Sequence, residues 1–296
     1  MESTEVTVKL LDIKPMPVCP PQVVLPPSQL VAGRYGTQEM ADLWGSEKTF
    51  EFSLYAQAQA CKNLSELHPE IIPKEHADAI IKAAKEPVNA DRIRELEAKT
   101  GHDVIAISQS LEEKLPKEIR SHIGKLRTSS DTTETAKALQ IKKSFHVIKH
   151  SLQNLRDIVI EKSIRWINIT HMDTTHLFDA MHTVLVRPFA HYAEMLQSNL
   201  NWMTSVYRNS IYGKWADATG NHHSATDFGI DGLALQAHYC SELGLRAMLA
   251  PAQTPGLEFQ ADIFYLLARI GETLNNIAKF IALGKGDDVD IFRGIG

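Results

Sequence analysis

The chain predicts an all-α fold: a small N-terminal helical domain followed by an elongated bundle of long helices. Three observations carry this. Between Gly124 and Pro188 run 63 residues without a glycine or a proline, and so long a stretch without breakers favours very long helices. Within it Ile141, Phe145, Ile148, Leu152, Leu155 and Val159 alternate in steps of four and three, which is the seam of a helix in a coiled-coil-like bundle. No segment shows a strand-like alternation of useful length, and there is no short-period repeat.

Residues 1–33 contain Pro15, Pro17, Pro20, Pro21, Pro26 and Pro27 and read as an extended arm. A domain over 34–125 follows. Its helical pattern begins near Thr37 with Met40, Leu43, Trp44, Phe50, Phe52, Leu54 and Tyr55, then runs through alanines to Leu67. Pro73 opens a short helix to about Lys85, in the position where proline is tolerated. Asn89 caps the next, which Gly101 ends. His102 begins another, to about Leu115. The bundle occupies 126–296. After the seam helix, Ile167-Asn168-Ile169-Thr170 interrupts the pattern. A second long helix is predicted from near Thr174 to Tyr212, kinked at Pro188. Gly213–Thr226 is a polar loop, Asp227–Leu243 a helix closed by Gly244, Pro251–Gly256 a loop, and Leu257–Leu283 the last helix.

Composition narrows the function. The net charge of −5 with scattered basic residues argues against nucleic acid as a partner. Cys19, Cys61 and Cys240 are odd in number and widely spaced, which fits reduced thiols and a cytoplasmic setting. The first residues are acidic, unlike a signal peptide. No apolar run is long enough to span a membrane.

Polar candidates sit where helices begin or loops turn: Arg34-Tyr35, His102-Asp103, Thr128-Ser129, His171 and Gln253-Thr254. Each also has a plain reading. Arg34-Tyr35, as a bare dipeptide before a helix, reads as ordinary surface. Asp103 suits the first turn of a new helix, while a carboxylate beside His102 can fix the ring tautomer. Thr128-Ser129-Ser130-Asp131 is a helix cap, and a capped N-terminus with free N–H groups is also a seat for an anion. His171 falls in a break between helices, where a loop carries either solvent or chemistry. His146 and His150 are four apart on one face, but off the seam and without a third ligand, so no metal site is read. There is no P-loop and no dinucleotide fingerprint.

Taken together and in order, these segments resemble the adenylosuccinate lyase family of the fumarase/aspartase superfamily. The resemblance rests on Arg34-Tyr35-Gly36-Thr37-Gln38-Glu39-Met40-Ala41-Asp42-Leu43-Trp44, on Thr100-Gly101-His102-Asp103-Val104, and on Thr128-Ser129-Ser130-Asp131 with Glu134-Thr135-Ala136. It continues through Thr170-His171, Gly213-Lys214 with Gly220, and Gln253-Thr254 with Ala261-Asp262. Three flanks depart from the family pattern: Gly101 and Ile169 stand where it has arginine, and Met172 where it has glycine. A further family histidine falls by counting on Gly124, with His122 two residues early.

The resemblance implies β-elimination of fumarate from adenylosuccinate and from the succinylated imidazole carboxamide ribotide, without a cofactor. It implies His171 as proton donor. His102, Asp103, Thr128 and Ser129 would hold the substrate; Arg34, Tyr35 and Gln253 would orient the nucleotide. It implies a homotetramer whose active sites draw on three subunits. The family's catalytic serine loop follows the helix that resembles Leu257–Leu283, so the chain is expected to be incomplete at its C-terminus, inactive alone, and left with unpartnered apolar helix faces. The alternative is a non-catalytic helical interaction protein, or a different lyase of the superfamily.

Overall fold

The computed structural model describes residues 36–176 and 178–284. The proline-rich arm of residues 1–33, with Arg34 and Tyr35, lies outside them. From Glu39 onward the described chain forms one compact unit. Its architecture is all-α, with eleven helices among the described residues.

The short helices come first: α1 (Gln38–Leu43), α2 (Ser46–Leu67), α3 (Lys74–Ala84), α4 (Ala90–Thr100), α5 (Asp103–Glu112) and α6 (Lys117–Arg120). Gly45 splits the first predicted helix in two, and its extended backbone precedes α2. The capping logic holds at α4. The Asn89 side chain accepts from the Arg92 N–H at 3.0 Å. At the other end Gly101 adopts φ 66°, and its N–H closes on the Glu97 carbonyl.

The long helix α7 spans Ser129–Arg165, 37 residues, or roughly 55 Å. Its seam is formed as predicted. Phe145, Leu152 and Val159 are buried, with Ile141, Ile148 and Leu155 partly so. They pack against Leu196, Leu200, Met203 and Val206 of α8 (Val186–Ser210) and against Leu266, Ile270 and Ile277 of α11 (Glu258–Gly284). A second apolar cluster joins α2–α6 to Leu139 of α7 and to later residues: Trp215 and, on α10 (Gly232–Glu242), Leu235, Tyr239 and Cys240.

Four further expectations are corrected. Residues expected to begin the second long helix form an antiparallel hairpin, β1 (Thr170–Thr175) with β2 (Phe178–Val184), pairing Thr170 with Val184 and His171 with Thr183. Threonine-rich, β-branched sequence suits a strand. The hairpin is mostly exposed, so no buried face writes an alternating pattern into it. Because α8 starts only at Val186, Pro188 sits in its first turn, where the missing N–H costs nothing, and it is not a kink. The loop after α8 also holds structure: β3 (Tyr212–Gly213) pairs in parallel with β4 (Arg246–Ala247), and α9 is His223–Thr226. Finally, α10 begins at Gly232 and not near Asp227, because Asp231 caps it by accepting from the Leu233 and Ala234 N–H groups.

Candidate active site

The polar centre of the molecule is the start of α7. Asp131, in its first turn, is fully buried, and so is Lys214 from the loop after α8. The Lys214 ammonium donates to Asp131 Oδ1 at 2.7 Å and to Ser130 Oγ at 3.0 Å. The same carboxylate accepts from the backbone N–H groups of Thr128 (3.0 Å), Ala216 (3.1 Å) and Asp217 (3.1 Å). Four donors therefore satisfy one buried charge, the condition under which a buried ion pair is tolerated. Asp131 thus caps its own helix and binds the 213–226 loop to it.

That loop is tightly folded. Asp217 is buried in a left-handed conformation, φ 64°. Burial pushes its carboxyl upward, but donors from Thr219 and Ser224 outweigh this and hold it below the usual range. Gly220, at φ 83°, lies so close to the next loop that a Cβ there would meet the Pro251 carbonyl oxygen at 2.3 Å; only glycine fits.

Ser129 and His102 face each other at this centre, with Ser129 Oγ 3.3 Å from His102 Nε2. The Thr128 backbone, just before the helix, is fixed by Asp131. His102 Nδ1 lies 3.1 Å from Asp103 Oδ1, close enough for charge attraction but without hydrogen-bond alignment. Asp103 Oδ1 instead accepts from the Val104 N–H at 2.7 Å. The carboxylate therefore secures the first turn of α5 and does not fix the ring tautomer. Gln253 belongs to the same neighbourhood: its backbone carbonyl accepts from the Ser130 hydroxyl, and its side chain is exposed. The dipole of α7, with a histidine and hydroxyls at its tip, is of the kind that suits an anionic group.

The structure thus brings together His102, Asp103, Thr128, Ser129 and Gln253. It does not bring His171 to them within one chain. His171 sits in β1, past the far end of α7, a helix length of roughly 55 Å from Ser129. There its Nδ1 faces the Met172 carbonyl at 3.0 Å, while Nε2 is buried without a partner. The ring of His122 is engaged elsewhere: its Nε2 lies 3.0 Å from His76 Nδ1. Burial first, then Lys125 and His76, lower its pKa. Among the described residues no group of three or more His, Cys, Asp or Glu is placed to hold a metal.

Sequence reading missed the part played by Lys214, Asp131 and Asp217. An acidic residue three places after a cap is a visible capping signal. Nothing in its spacing shows that a lysine 83 residues later will neutralise it.

The family model described as a lyase matches residues 33–277, and the chain belongs to that family. Among curated relatives, the adenylosuccinate lyase of Methanocaldococcus jannaschii is 31 % identical over 245 residues, covering 82 % of this chain and 52 % of that protein. The adenylosuccinate lyase of Bacillus subtilis is 28 % identical, covering 83 % and 54 %. The chain therefore spans about half the length of the curated relatives it matches. Among solved structures, the fumarate lyase from Mesorhizobium sp. BNC1 superposes with a TM-score of 0.76 at 18 % identity, covering 85 % of this chain and 58 % of that one. The β-carboxy-cis,cis-muconate cycloisomerase from Acinetobacter calcoaceticus sp. ADP1 gives 0.78 at 17 %, covering 88 % and 60 %. At such identities the likeness speaks for the fold alone.

Proposed function

We propose that this chain supplies the substrate-holding part of an adenylosuccinate lyase, which eliminates fumarate from adenylosuccinate to leave AMP and acts likewise on the succinylated imidazole carboxamide ribotide. The observation that carries the reading is the contact of Ser129 with His102 at the capped start of α7, in a chain 31 % identical to an adenylosuccinate lyase. In the reaction a base takes a proton from the succinyl Cβ. The resulting electron pair forms the C=C bond of fumarate as the C–N bond breaks, and an acid protonates the departing nitrogen. Thr128, Ser129 and the open end of α7 suit a succinyl carboxylate. His102 and Asp103 border the same seat, and Gln253, with Arg34 and Tyr35, would orient the nucleotide.

His171 enters this reading as the proton donor of a neighbouring copy, since one chain holds it a helix length away from Ser129. A homotetramer with composite sites meets that need. Its support is the second face of α11, where Phe264, Leu267, Leu274 and Ile281 stand exposed at steps of three and seven, the spacing of a helix seam. The buried free thiols of Cys61 and Cys240 suit a reducing, cytoplasmic setting.

Titration of adenylosuccinate into the chain by calorimetry tests the reading. Binding is expected, weakened roughly tenfold or more in His102→Ala and Ser129→Ala, the loss of a hydrogen bond to a charged group. A folded chain that takes up no adenylosuccinate would leave the non-catalytic interaction protein as the better reading.

A further inference from the structure

Lys214 is the one lysine or arginine buried among the described residues, 1 % exposed. An ammonium only donates. Its bond to Ser130 Oγ at 3.0 Å therefore makes that oxygen an acceptor and turns the Ser130 proton away. The proton goes to the backbone carbonyl oxygen of Gln253. Donation runs one way, from the 213–226 loop through the first turn of α7 to the 251–256 loop. Among the described residues this is the only hydrogen bond that ties segment 249–256 to the rest of the fold.

We infer that Lys214 is a positioning residue: by setting the direction of the Ser130 hydroxyl it latches the Gln253 loop onto the start of α7, beside Ser129 and His102. The consequence for substrate rests on the lyase reading above; the latch itself does not. Asp131 holds Lys214 in place, and the tight approach of Gly220 to Pro251 holds the two loops in register.

Limited chymotrypsin digestion of the ligand-free chain tests the latch, with cleavage after Leu249 and Leu257, exposed on either side of the loop, read by mass spectrometry. In Ser130→Ala, cleavage at these two sites is expected to run roughly fivefold faster, the loss of one hydrogen bond from a local opening, while cleavage elsewhere stays unchanged. Ser130→Thr keeps the hydroxyl and is expected to be cut like the parent. The double variant Asp131→Asn, Lys214→Met removes the ammonium without stranding a charge, and is expected to open the loop as far as Ser130→Ala. Parent-like cleavage in Ser130→Ala, or equal opening in Ser130→Thr, overturns the latch. Parent-like cleavage in the double variant overturns the role of Lys214. If the double variant does not fold, the Ser130 pair still decides. Adenylosuccinate titrated into the same proteins separates the two claims. Affinity lost in Ser130→Ala and kept in Ser130→Thr ties the latch to substrate. No binding to the parent chain sinks the lyase reading and leaves the cleavage rates to judge the latch.

Discussion

The two ends of α7 are built on opposite principles. At the Ser129 end, buried charges are cross-linked by side-chain and backbone hydrogen bonds, and two left-handed residues, Asp217 and Gly220, are held by their surroundings. At the other end Ile160, Ile164 and Ile167 are exposed, and the hairpin that carries His171 stands mostly in solvent, its strands bonded chiefly to each other. A site that must hold a charged group needs rigid, pre-paid polar geometry, and one end has it. The other presents a histidine and exposed apolar surface.

The largest expected effect lies at the rigid end. Asp131→Ala strands the Lys214 ammonium and three backbone N–H groups, and should cost about 3–5 kcal/mol in urea unfolding. Adding Lys214→Met should recover part of that loss, because the two residues act as a unit. A cost below about 1 kcal/mol, within the range of ordinary surface changes, would erase the contrast between the two ends.

Acidity sharpens the comparison with a smaller effect. The His76–His122 pair is packed on the Ser129 side, whereas His176 and His182 of the hairpin are exposed. The unfolded His122 ring titrates near 6.5 and the folded ring below that, because burial, Lys125 and His76 all disfavour its charge. Between those values the unfolded chain binds more protons, so stability falls as pH drops through the window. Thermal melts from pH 7.5 to 5 should show the decline, and His122→Gln should flatten it. A decline of equal slope in both proteins would place the acid sensitivity elsewhere.

What could be read in advance follows the same divide. The α7 seam, the Asn89 cap and the Gly101 stop were legible because each is a local pattern on one helix. His102, Thr128, Ser129 and Gln253 stood out singly, since helix starts and loop tips announce themselves in residue type, but only the family resemblance joined them into one set. The hairpin was not legible, because Thr170–Thr175 buries no regular face and its pairing depends on residues up to 14 positions away. Nor was Lys214, whose role is set by burial and by a partner in a different element. The separation of His171 from Ser129 was implicit in the breaker-free run that predicts α7 unbroken, although the order of motifs alone says nothing of distance.

The smallest expected effect is at the hairpin, and it is the one that isolates the claim about exposure. Thr174 is exposed, and its N–H bonds locally to Asp173 Oδ1 at 3.0 Å. Thr174→Ala removes a methyl and a hydroxyl that touch little else, and β-propensity alone is worth less than about 1 kcal/mol at such a site. Stability should move by no more than about 0.5 kcal/mol. A change two or three times larger in dilute protein would mean that the hairpin is held by packing within one chain. The same excess seen only at high concentration would mean that another copy covers it, as the proposed composite site requires.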